Sequence, residues 1–151
     1  MIRKIRFAPM KSLILAITLA VTFSAVAAEK PHIENLTGTV VIPKTVKDYA
    51  ALTLEVRLYE YHPFIADKPA DLVAELNHSN YTHKAGKETK THFTMRVNVK
   101  PGMSYYLTCF VTDANGKRYL MGEKDGKRGL CKVLTAGNPN KVYLILRDLR
   151  K

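Results

Sequence analysis

Apolar and polar residues alternate with a period of two along much of this chain, a rhythm that fits strands and excludes amphipathic helices. Leu52, Leu54, Val56 and Leu58 alternate with Thr53, Glu55, Arg57 and Tyr59. Phe93, Met95, Val97 and Val99 alternate with Thr94, Arg96 and Asn98. Successive side chains on a strand point to opposite faces, so each run buries one face and wets the other, as antiparallel sheets do. Weaker alternation at Leu72, Ala74 and Leu76, and at Val142, Leu144 and Leu146, adds further strands. The segment 105–111 is apolar or aromatic almost throughout and predicts a central strand. An opening strand over 37–42 is stopped by Pro43. Asn115-Gly116 predicts a two-residue hairpin into a short strand at 118–121. The only helical candidate is a turn near 46–50. About seven short strands at regular spacing predict an all-β domain, a small antiparallel two-sheet sandwich.

That domain starts after residue 28. Arg3, Lys4, Arg6 and Lys11 open the chain with no acidic residue among them, and an apolar run over 13–23 is broken only by Thr18 and Thr22. Small residues follow at Ser24, Ala25, Val26, Ala27 and Ala28, which permits cleavage after Ala27 or Ala28. The sixteen residues 13–28 fall short of the roughly 20 needed to cross a bilayer, so a cleaved signal peptide is expected rather than an anchor. A lipoprotein signal would place a cysteine just after the small residues, where Glu29 and Lys30 stand. The expected mature form is therefore a single domain over 29–151, exported, carrying no lipid and not spanning the membrane. Four basic residues leave with the signal, so twenty basic residues remain against thirteen acidic ones, a charge of +7. Such a balance bears on association with anionic surfaces rather than on fold.

Chemistry-bearing motifs are sparse. Cys109 and Cys131 in an exported chain suggest a disulfide stapling the sheet, worth about 3 kcal/mol, with two buried free thiols as the alternative. His32, His62, His78, His83 and His92 are scattered without metal-ligand spacing, so no metal is expected. The mature serines, Ser79 and Ser104, have no Gly-x-Ser-x-Gly setting, and there is no phosphate-cradling glycine loop. Asp67, Asp71 and Glu75 read as solvated charge. These features predict neither an enzyme nor a cofactor.

Two features suggest contact with a partner. Basic residues gather at Lys84, Lys87 and Lys90, and around the hairpin at Lys117, Arg118, Lys124, Lys127 and Arg128. They are candidates for touching an anionic lipid or polysaccharide. Only Tyr119 interleaves an aromatic ring with them, which reads against nucleic acid. The second feature is the segment 59–70, with three aromatic residues and two prolines directly after the best strand. Either Phe64 and Ile65 cap the core, or Tyr59, Tyr61, Phe64 and Ile65 form an exposed recognition surface.

Taken in order, Gly38-Thr39-Val40, Leu54-Glu55-Val56-Arg57-Leu58 and Ile65-Ala66-Asp67-Lys68-Pro69-Ala70 resemble the YscW/YbaY family of small exported bacterial β-sandwich proteins. So do Phe93, the Tyr106 strand leading to Asn115-Gly116-Lys117, and Val133-Leu134-Thr135-Ala136-Gly137-Asn138-Pro139 before Val142-Tyr143-Leu144. The resemblance covers nearly the whole mature chain. It implies a Gram-negative periplasm, no catalysis, and a binding or chaperone-like role toward an envelope or secretion-system protein. Some members are pilotins, which bind a secretin subunit and carry it to the outer membrane. Those are typically lipoproteins, whereas this chain lacks the lipid-bearing cysteine. The alternative is a basic envelope-surface protein whose cationic patches contact anionic lipid or polysaccharide.

Overall fold

The structure, a computed structural model, describes residues 30–150. The expected signal peptide, 1–28, lies outside the described residues. Eight strands follow in chain order: β1 (His32–Ile42), β2 (Tyr49–Tyr61), β3 (Asp71–His83), β4 (Thr89–Val99), β5 (Ser104–Thr112), β6 (Arg118–Lys124), β7 (Cys131–Val133) and β8 (Lys141–Asp148). The all-β expectation holds. The strands form one sheet in the order β3-β2-β5-β6-β8-β1-β4, with the short β7 added beside β5.

This sheet curls until its two edge strands, β3 and β4, approach each other beside the turn that joins them, making a barrel that is nearly closed. The two expected layers are thus one continuous sheet wrapped around a shared core. One pairing departs from the antiparallel expectation: β8 runs parallel to β1, Thr37 lying opposite Lys141 and Val41 opposite Ile145. β7 and the following loop, 134–140, return the chain so that β8 runs in the same direction as β1.

The alternation assigns the faces correctly. Leu54, Val56 and Leu58 of β2 are buried with Phe93, Met95 and Val97 of β4 and with Leu36 and Val40 of β1. Gly38 sits opposite Phe93, and a Cβ there would lie 2.3 Å from the phenyl ring. Only a residue without a side chain fits where that ring crosses the strand. The opposite parity of β2 carries a polar ladder on the outside. The Arg57 guanidinium bonds Glu75 at 2.8 Å and pairs with Glu55 at 3.2 Å, while Thr112 donates to Glu55 at 2.7 Å.

Three local expectations change. The 46–50 segment is not helical: Val46 N–H donates to Pro43 in a turn, and β2 begins at Tyr49. The hairpin after β5 is longer than two residues. Asp113 N–H donates to the Lys117 carbonyl, Gly116 N–H donates to the Asp113 carbonyl, and Gly116 takes a φ of 77°. The Asp113 carboxylate accepts N–H groups from Asn115 and Lys117 inside this loop, which the dipeptide alone did not reveal. Finally, Cys109 and Cys131 are two free, buried thiols rather than the expected bridge. Cys131 lies opposite Leu107, so Cys109 is its diagonal neighbour rather than its direct one. Diagonal positions on paired strands are typically about 7–8 Å apart, beyond comfortable bridging distance. Burial pushes the Cys109 thiol pKa up, and Cys131 beside it adds to the rise.

The barrel has two unlike ends. At one, β2 and β4 finish, β1, β3 and β5 begin, and the loops 62–70 and 100–103 close over the strands. The other carries the loops 43–48, 84–88 and 113–117 together with Arg150.

Candidate functional site: an aromatic face at one end of the barrel

Strand register sets a row of side chains across the outside of β3, β2, β5 and β7. Leu72 lies opposite Tyr59, Tyr59 opposite Tyr106, and Tyr106 opposite Lys132. Tyr59 and Tyr106 stack with centroids 5.1 Å apart, and Tyr61 meets Tyr106 edge-on at 5.7 Å. Cross-strand aromatic pairs of this kind stiffen a sheet and present a firm contact surface. Partial burial raises the Tyr106 phenol pKa, and the neighbouring Tyr59 and Tyr61 add to the rise.

Beside this row is a cleft of about 390 Å³, whose walls include Tyr61, Ile65, Lys68, Tyr106 and Leu130. The loop that forms it is held by a turn, with Ile65 N–H donating to the His62 carbonyl and Phe64 N–H to His62 Nδ1. Phe64 is 90% exposed and Ile65 50% exposed, so neither caps the core. Leu72 and Leu130, at 49% and 54% exposed, extend the apolar surface on either side.

The end beneath the loop is closed by a buried polar cluster. Tyr105 donates its hydroxyl to Glu60 at 2.7 Å and accepts the Lys100 N–H at 2.9 Å, and the Lys100 ammonium reaches Glu60 at 2.8 Å. Burial, followed by the hydrogen bond to Glu60, pushes the Tyr105 phenol up to about 12. Above the cluster opens a second cleft of about 530 Å³, shared by Lys30, His32, Phe64, Lys100 and Thr135.

The eight cationic candidates do not form one site. Lys84, Lys87, Lys90, Lys117 and Arg118 lie at the far end, and Lys124, Lys127 and Arg128 lie further down the flank. Several are already engaged: Lys90 with Glu88 at 2.7 Å, Arg118 over the Phe110 ring at 3.9 Å, Lys117 over Tyr119 at 5.3 Å, and Arg128 with Glu123 at 3.8 Å. The carboxylates read as solvated charge are likewise separated. Asp71 pairs with Lys68 at 2.8 Å, and Glu75 with Arg57.

Tyr106, Leu130 and Lys132 belong to this face but did not stand out in the sequence, and Leu72, expected to face inward with Ala74 and Leu76, joins it because the β2–β3 register shifts between Leu58 and Tyr59. Tyr106 falls within a continuous apolar run, where periodicity assigns no face. Leu72 and Lys132 reach the row through register with partners more than ten residues away, and Leu130 joins it as a wall of the neighbouring cleft.

No protein-family model matches the chain, and no curated protein does. A solved structure is similar in fold: an alternative pilotin from the type II secretion system of Vibrio cholerae, at a TM-score of 0.52 and 18% identity. The match covers 77% of this chain and 98% of that one. At that identity the likeness is one of fold, and the fold of this chain is pilotin-like.

Proposed function

We propose that this chain is an exported, non-enzymatic binding domain of the bacterial periplasm, akin to the YscW/YbaY proteins, that recognises a protein of the envelope or secretion machinery. The observation that carries this reading is the row of Leu72, Tyr59, Tyr106 and Lys132 beside an open apolar cleft. Tyrosine-rich, partly desolvated surfaces of this kind concentrate binding energy in protein interfaces. The expected export signal and the fold shared with a secretion-system pilotin support the same reading. The aromatic face offers ring surfaces and two ammonium groups, those of Lys132 and Lys68, which suit recognition of a side-chain patch.

A second reading, contact with anionic lipid or polysaccharide, draws on the lysines gathered at the far end. Salt separates the two. Partner capture by the mature protein from periplasm should persist as ionic strength rises and disappear in the Tyr59→Ser/Tyr106→Ser double variant. Capture that collapses with salt and survives the double substitution would select the cationic surface instead.

A further inference from the structure

Among the described residues the sheet has two free edges, β3 and β4, and they differ in kind. The β4 edge is finished. Phe93, Met95, Val97 and Val99 on its inner parity are each 4–5% exposed, and Lys90, His92 and Arg96 stand exposed on its outer one. The β3 edge is not. From Asp71 to Asn80 none of its residues is buried, although Ala74 and Leu76 lie opposite Leu58 and Val56 and share their inner face. Leu72 and Val73 beside them are 49% and 40% exposed. Residues 71–83 include no lysine, arginine or proline, the residues that commonly blunt a sheet edge. The pairing with β2 is regular from Ala74 to His78, and the two carboxylates are already matched, Asp71 by Lys68 and Glu75 by Arg57, each at 2.8 Å.

The main chain dictates what fits there. Alternate residues of an edge strand turn their N–H and C=O groups away from the sheet, and an extended chain meets that row of donors and acceptors in register. β3 and β4 are tied together near their turn, Tyr81 to Thr91 and His83 to Thr89, each at 2.8 Å. Over 71–80 no strand of the described residues pairs with the outer edge of β3. The partly buried inner residues set what an added chain must carry: apolar side chains at alternate positions, to pack against Ala74 and Leu76 and complete the core layer. On the outer face its side chains fall beside Leu72, extending the row that runs through Tyr59 and Tyr106 to Lys132.

We propose that the protein partner docks by strand addition: an extended segment, apolar at alternate positions, pairs with the free edge of β3 over 72–78. This rests on the reading of the aromatic face as a protein surface and specifies the form of partner it receives. The segment's main chain bonds the edge, which supplies affinity, and its alternate side chains meet the core layer and the tyrosine row, which supply specificity.

The probe is a displayed library of random peptides of about ten residues, long enough to run along 71–80, selected on the mature protein. Selected peptides are expected to carry apolar residues at alternate positions. N-methylation of a synthetic selected peptide at alternate amides should abolish binding for one parity and spare it for the other, since only one parity faces β3. Val73→Lys should weaken binding about tenfold, through the lost valine contact and the blunted edge, while Tyr143→Lys on β8 leaves it unchanged. Thermal unfolding checks that Val73→Lys is folded, and the N-methylated peptides need no variant at all. Bound peptide should also slow amide hydrogen exchange at alternate residues of 72–78. An empty selection, apolar residues at helical spacing, or unslowed exchange in 72–78 would overturn strand addition. Protection of 72–78 that appears without peptide as the protein is concentrated would assign the edge to a second copy and overturn it as well. Peptide binding that ignores N-methylation but is lost in Tyr59→Ser/Tyr106→Ser would overturn strand addition and leave the proposed function standing. Parity-dependent binding that survives that double variant would support the edge and remove the tyrosine row from the site.

Discussion

The two ends of this barrel solve their local problems in opposite ways. At the far end, charge is settled within loops and between neighbouring ones. Asp113 holds the N–H groups of Asn115 and Lys117, Asp48 accepts the Ala85 N–H at 2.6 Å, and Arg150 lies over the Tyr49 ring while its guanidinium grips Asp148. Little there is left unsatisfied. The aromatic end buries its polar groups in the Glu60, Tyr105 and Lys100 cluster, yet leaves Phe64, Ile65, Leu72 and Leu130 in contact with water. Exposed apolar surface costs free energy that the fold does not recover by itself. On the proposed function, recognition belongs to the aromatic end and the basic loops take a largely structural and solvating part.

The largest effect expected from testing this contrast is at the floor of the aromatic end. Tyr105→Phe deprives buried Glu60 of a donor and leaves the Lys100 N–H without its acceptor, so urea unfolding should show a loss of about 2 kcal/mol. An unchanged midpoint would mean that this end is not built around the cluster.

A smaller effect should come from the far end. The hydrogen bond from Arg150 holds the Asp148 carboxyl at about 2, below its ordinary value. A depressed carboxylate stabilises the fold above its ordinary pKa, and that contribution is lost as pH falls from about 4 through about 2. Asp148→Asn should therefore cost about 1–2 kcal/mol near neutral pH and flatten the acid limb of the stability profile over that window. A native profile with no acid limb in that range would contradict the pairing.

Surface changes should separate the ends by function more than by stability. Tyr59→Ser should cost about 1 kcal/mol through loss of the stack while abolishing partner capture. The double change Lys84→Ala/Lys87→Ala should stay within about 0.5 kcal/mol and leave capture intact, as read by thermal unfolding and pull-down. If the lysine variant loses the partner, the two ends exchange roles.

The sequence made the strands and their faces legible because alternation at Leu54, Val56 and Leu58, or at Phe93, Met95 and Val97, is a local signal. The parallel pairing of β1 with β8 was not legible, since no residue encodes the return path of the chain after β7. The cysteine offset was hidden for a related reason: a bridge depends on cross-strand register, and the short pairing of β7 with β5 sets Cys131 against Leu107. Half of the candidate site could be read from the segment 59–70, where Tyr59, Tyr61, Phe64 and Ile65 are close in sequence. Tyr106 and Lys132 could not, because they join Tyr59 only through the sheet. Glu55 illustrates the limit of parity. It faces outward as expected, yet Thr112 and Arg57 engage it, so its side chain is part of a network rather than free in water.

The central claim, that the aromatic face receives a protein partner, is tested most directly by photocrosslinking in intact cells. A benzophenone amino acid replaces Tyr61 in one strain and Lys87 in another. The account predicts a discrete adduct of the same mass from every preparation at position 61, absent when Tyr59→Ser and Tyr106→Ser are added, and no such adduct at position 87. A discrete adduct at position 87 with none at position 61 would contradict it.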